Sequence, residues 1–156
     1  LIFYPILFIL HTIHYLRTKT NNMKRTILTN QFCQHDYDEE KKLLEQIWTN
    51  ESKAMTITDF KAVMLDYADL FQQYDIDQVL VDSRQMQFLV VPEDQDWVNE
   101  NIIAMIAPHL KKLGFLLSND IFEEVAIRQA MEEQAAQLPF ETKYFGDEQA
   151  AKAWLA

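Results

Sequence analysis

The sequence predicts an α/β fold: a mixed sheet of four to five strands flanked by about four helices. Three observations predict it. Gln78-Val-Leu-Val-Asp82 is a short, continuous apolar run closed by the polar Asp82-Ser83-Arg84, the pattern of a strand covered on both faces. Ahead of it, Phe32 to Tyr37 and Leu43 to Trp48 are strand-like and are joined by the acidic turn Asp38-Glu39-Glu40-Lys41, which makes an N-terminal hairpin. After it, helix-like and strand-like segments alternate, which implies parallel strands joined by helical crossovers.

The elements then follow in order. In the second hairpin strand Leu44 and Trp48 share one face, and Leu43 and Ile47 the other. Thr56 and Asp59 have the spacing of a capping box, and Met55 and Phe60 that of a hydrophobic staple, so a helix starts here. Ile57, Phe60, Met64, Tyr67, Leu70, Phe71 and Tyr74 recur every three or four residues as one apolar stripe expected to face the core. Past the central strand, Phe88, Leu89, Val90 and Val91 are too apolar to be left in water. They either fold back over the sheet end or mark a place where something docks.

Pro92 with Glu93, Asp94 and Asp96 reads as the next helix start, because Pro suits the first turn and acids complement the dipole there. Val98, Ile102, Met105, Ile106, Leu110 and Leu113 are expected to form its buried face, with a kink or break near Ala104–Ala107 imposed by Pro108, and Gly114 as its C-cap. That leaves Phe115-Leu116-Leu117 as a very short strand. Ser118-Asn119-Asp120 caps a further helix with apolar contacts from Ile121, Phe122, Val125 and Met131. Phe140 to Phe145 reads as an edge strand, and Gly146-Asp147 opens a last helix that buries Ala150, Ala151, Trp154 and Leu155.

A chain of 156 residues is one domain by default, here residues 23–156. Residues 1–22 are an apolar extension, either upstream of a true start at Met23 or a short anchor. The apolar part, Leu1 to Leu16, spans only about 24 Å as a helix, less than the roughly 30 Å of a hydrocarbon core. The net charge is −10, and setting aside Arg17 and Lys19 of the extension leaves −12 on the domain. Such a surface repels phosphate backbones, so nucleic acid is not an expected partner, and a membrane is one only if residues 1–22 are a real anchor. With two glycines, Gly114 and Gly146, no phosphate-cradling glycine loop is available, and no cofactor is expected. Cys33 is the sole cysteine, so no intrachain disulfide is possible, which fits a reducing compartment.

The chemistry-bearing residues are few. Asp82, Ser83 and Arg84, with Ser118, Asn119 and Asp120, follow the carboxyl ends of neighbouring parallel strands and should share one rim. They form either a small polar pocket in which Arg84 holds an anionic group, or an Asp82–Arg84 pair beside an ordinary helix cap; the second reading is favoured. Phe88 and Leu89 complete the candidate partner-binding set. Cys33 and His35 lie on one strand face, but two side chains fall short of a zinc site, and no metal is expected. His109 reads as a core-edge histidine. Glu123, Glu124, Glu132 and Glu133 read as a solvated helix face. With no nucleophile–base set in view, no catalytic residue is assigned and the protein is expected not to be an enzyme.

Gln78-Val-Leu-Val-Asp-Ser-Arg84, Leu110-Lys-Lys-Leu-Gly114, Leu116-Leu-Ser-Asn-Asp120 and Phe145-Gly-Asp-Glu-Gln-Ala-Ala-Lys-Ala-Trp-Leu155, in that order and spacing, resemble the SpoIIAA-like family of small bacterial proteins in the STAS and CRAL-TRIO superfamily. The resemblance implies a four- or five-stranded sheet, a cytoplasmic location and a role as a protein-binding regulator. Val91-Pro92-Glu93-Asp94 has no hydroxyl where regulatory STAS domains carry a phosphorylatable serine, so the phosphoswitch does not carry over. The function expected is a non-enzymatic STAS-like module that binds a partner protein through the rim and the apolar loop. The alternative is a small-ligand or lipid carrier of CRAL-TRIO type. A homodimer through an exposed sheet edge is compatible with either.

Overall fold

The computed structural model describes residues 24–123, 125 and 138–156. The expectations for residues 1–22, Met23, Glu124, Met131, Glu132 and Glu133 fall outside these. β1 (Arg25–Thr29), β2 (Cys33–Asp38), β3 (Leu43–Trp48), β4 (Gln78–Asp82), β5 (Lys112–Leu116) and β6 (Glu141–Phe145) form one sheet in chain order. The first three strands run antiparallel, and β3 to β6 are parallel. The class is α/β with a mixed sheet, as expected, but the sheet has six strands rather than four or five.

The additional strand is β1. Its Arg-Thr-Ile-Leu-Thr has no alternation, and it owes its conformation to pairing with β2, including a bulge between Thr26 and Leu28 and a bond from the Thr26 hydroxyl to Asp36 (2.7 Å). The β2–β3 turn bends through Lys42 at φ 51°, a left-handed conformation that favours glycine.

β4 is the covered central strand. Val79 and Val81 face one layer and Leu80 the other, at 0, 8 and 2% exposure. Burying each is worth roughly 1.5–3 kcal/mol. The larger layer holds α1 (Ile57–Gln73) and α2, which begins at Pro92–Val98 and continues through a π-helical turn, Asn99–Ile103, to Ala104–Ile106. The smaller layer holds α3 (Glu148–Leu155), packed on β5 and β6. No helix among the described residues is long and apolar enough to cross a membrane.

α1 starts with the reciprocal cap: the Thr56 hydroxyl accepts from the Asp59 N–H (3.2 Å), and the Asp59 carboxylate from the Thr56 N–H (2.9 Å). Met55 and Phe60 are both buried beside it. Ile57, expected inside, is 40% exposed. In α2 the π turn holds Val98, Ile102 and Ile106 in line at spacings of four, and Met105 is turned out to solvent rather than in.

Pro108 ends helical bonding after Ile106, within the expected stretch. The chain closes in tight turns, His109 N–H to Ile106 O and Leu110 N–H to Ala107 O. Gly114 is therefore not a C-cap, and Leu113 is not helical: both lie within β5, which starts at Lys112 rather than Phe115. A Cβ at Gly114 would meet Leu80, Phe145 and Trp154 at 3.4–3.6 Å, which is ordinary van der Waals contact. In α3, Asp147 caps by accepting from the Ala150 N–H (2.7 Å). Ala151 and Leu155 are buried and Trp154 half-buried, whereas Ala150 points outward.

Candidate functional site

A cavity of about 180 Å³, partly open to solvent, lies between the sheet and its larger helical layer. Trp48, Val81 and Leu113 line it from β3, β4 and β5, Phe60 and Tyr67 from α1, and Ile102 and Ile106 from α2. Met86 and Val90 of the loop after β4 also border it, with Ser83 and Gln95 as further polar groups. The loop is held there by a bond from the Gln87 N–H to the Ser52 hydroxyl (2.9 Å) and by Phe88 stacked on Phe60, centroids 5.0 Å apart. So the apolar loop folds back in part, and Phe88 is a packing residue; Leu89 stands out furthest, 79% exposed, with Val91 at 38%.

Gln46 and Tyr67, 2 and 3% exposed, are buried polar residues that also line the cavity. Gln46 is in β3 between Leu44 and Trp48, so strand alternation forces it inward with them. Its amide nitrogen lies 3.2 Å from Nε2 of His35, which is fully buried in β2. Burial pushes the imidazole down to a pKa of about 4, so at neutral pH the ring is uncharged. Nε2 then accepts from Gln46, and the ring donates to the Leu28 carbonyl. Cys33, beside it, is buried and its thiol is pushed up to about 11, which makes it an inert side chain. Among the described residues no three metal-ligating side chains gather in one place.

The rim residues lie at the carboxyl ends of β4 and β5, which the Ser83 N–H ties together by bonding Leu116 O (2.9 Å). Arg84 binds Asp82 through two bonds (2.9 and 2.6 Å) and reaches Glu148 of α3 (3.0 Å). The Asp82 bond, ahead of the others, raises the guanidinium pKa further, and Lys152 ahead of Arg84 lowers that of Glu148. With two carboxylates on it, Arg84 is not poised to capture an anion. Ser118, Asn119 and Asp120 stand at the helical start 119–123: the Phe122 N–H bonds Ser118 O (2.8 Å), and the Ser118 hydroxyl lowers the Asp120 pKa. Among the described residues no ion pair joins Arg84 to this group. Of the eight sequence-derived site residues, only Ser83 lines the cavity. Arg84 is exposed, so Arg84→Ala is expected to cost at most about 1 kcal/mol in urea unfolding. A loss above about 2 kcal/mol would show the network to be structural.

Gln46 and Tyr67 were the residues that sequence reasoning passed over. The signal for Gln46 was present: a glutamine at the parity of Leu44 and Trp48 is a polar group assigned to the core side, which demands a partner. Tyr67 was absorbed into an apolar stripe. No protein-family model, curated protein or solved structure matches the chain. What the fold and the site define is an α/β domain with an apolar cavity between its sheet and two helices.

Proposed function

We propose that this protein is a non-enzymatic, cytoplasmic binding module of the SpoIIAA-like, STAS/CRAL-TRIO kind that takes a small apolar molecule into the cavity between sheet, α1 and α2. The cavity carries this reading: it is apolar, is walled by aromatic and branched side chains, and has a few placed polar groups, which is how small-molecule sites are built. Among the described residues its only titratable lining group is Tyr67, whose pKa burial raises, and this supports binding over catalysis. The size favours the small-ligand form of the carrier over a lipid form, since about 180 Å³ lies below the roughly 300 Å³ at which drug-sized sites begin. Amide NMR with toluene as probe tests it. Shifts clustered at Val81, Ile102, Ile106 and Leu113 are expected, and Val81→Phe, which fills the cavity, should abolish them. Shifts scattered over the surface, or unchanged in Val81→Phe, would remove the reading.

A second reading, a protein-interaction module, is favoured by Leu89, a large apolar side chain left in solvent on the loop after β4. Leu89→Asp is the clean test, because Phe88 is part of the core packing and Leu89 is not. Undiminished recovery of a co-purifying partner by folded Leu89→Asp would discard it.

A further inference from the structure

We infer that the cavity selects uncharged, single-ring molecules bearing a hydroxyl group, which Gln46 and Tyr67 hold; this rests on the ligand-binding reading above. Size comes first. A cavity of about 150 Å³ lined by aliphatic and aromatic side chains takes up benzene, so about 180 Å³ accommodates one ring with a small substituent. The walls suit a ring: Trp48, Phe60, Tyr67 and Phe115 all line the space.

Charge comes second. Among the described residues no Asp, Glu, Lys, Arg or His lines the cavity, so a carboxylate or ammonium entering it would lose its hydration without a counter-ion from them. His35, which pairs with Gln46, is neutral, so it offers no charge either.

Hydrogen bonding comes third, and it specifies the hydroxyl. The Gln46 amide nitrogen is committed to His35, which leaves its carbonyl oxygen as an acceptor for whatever fills the cavity. Among the described residues no group bonds that oxygen or the Tyr67 hydroxyl, and no buried side-chain N or O atom is without a partner. Gln46 and Tyr67 both line the cavity, so these two oxygens are the groups offered to a ligand there. A ligand hydroxyl meets both needs at once, donating to Gln46 and accepting from Tyr67. Because His35 fixes the amide from behind, the acceptor is held in place before the ligand arrives.

The test titrates the full chain at neutral pH with toluene, phenol and benzoate, followed by NMR. Phenol should bind about tenfold tighter than toluene, the gain expected from well-placed hydrogen bonds. Benzoate should bind at least roughly a hundredfold more weakly than phenol. Tyr67→Phe, which removes one oxygen, should erase most of the phenol advantage and leave toluene binding unchanged. Gln46→Leu should do the same; if it fails to fold, Tyr67→Phe alone makes the comparison. Toluene binding with no preference for phenol, or benzoate competing as an equal, would overturn the selectivity and leave the binding reading standing. No binding by any of the three would overturn both.

Discussion

Acidification from pH 6.5 to about 4 is expected to destabilise the fold by on the order of 3 kcal/mol through His35 alone. The imidazole is fully buried and uncharged in the native state, where its pKa falls from 6.5 to about 4. Between those values the unfolded chain holds a proton that the folded chain does not, so unfolding is favoured as the pH drops. Each pKa unit is worth about 1.36 kcal/mol. The contribution is whole above the unfolded pKa and is gone once the pH passes below the folded one. Against a typical stability of about 5–15 kcal/mol this is a large fraction. Desolvation is the main cause; the Leu28 carbonyl and Asp36 oppose it.

The groups around His35 sharpen the test. Asp36, held low against desolvation by the Thr26 and Gln34 side chains and by Lys24, and Glu148, held low chiefly by Lys152, begin to lose their native advantage as the pH enters the ordinary carboxylate range, from about 5 downward. The slope between pH 6.5 and about 5 is therefore assigned to His35. Urea titrations across this range should show it in the wild type, and His35→Gln, whose amide still pairs with Gln46, should flatten it. A wild-type curve that is level over this range would refute the neutral, buried imidazole.

Ile102→Ala should cost about 2–5 kcal/mol, and Leu65→Ala within about 0.5 kcal/mol of nothing. Both are aliphatic residues on helices of the larger layer, and composition does not separate them. Ile102 is 0% exposed, in the π turn that aims it at the sheet, whereas Leu65 is 45% exposed on the outer side of α1. Because Ile102 already borders the cavity, truncation enlarges a space that the surroundings have not closed, which places the cost toward the upper part of the range. Urea unfolding with an unchanged m-value is the measurement. A loss below about 1 kcal/mol for Ile102→Ala would mean that α2 is not packed as described.

Much of the architecture was legible along the chain because its signals are local. The cap at Thr56 and Asp59 spans three residues, the parity of Leu43 to Trp48 follows from strand geometry, and the apolar run Val79-Leu80-Val81 reports burial on both sides. β1 and β5 were harder for opposite reasons. β1 has no pattern of its own and exists by pairing. β5 has a pattern, but Leu110 and Leu113 continue the helical spacing of α2, and only Pro108 signals that the helix has stopped.

Sequence alone thus settled the α/β class, the central strand and the start of α1, because propensity and periodicity act over a few residues and need no partner. Tertiary structure decided the site. Arg84 is neutralised in part by Glu148, 64 positions away, and Gln46 finds His35 across the β2–β3 pair. The cavity is the volume left where a sheet and two helices fail to close completely, and such a volume belongs to the packing of all three, so no single segment could have announced it.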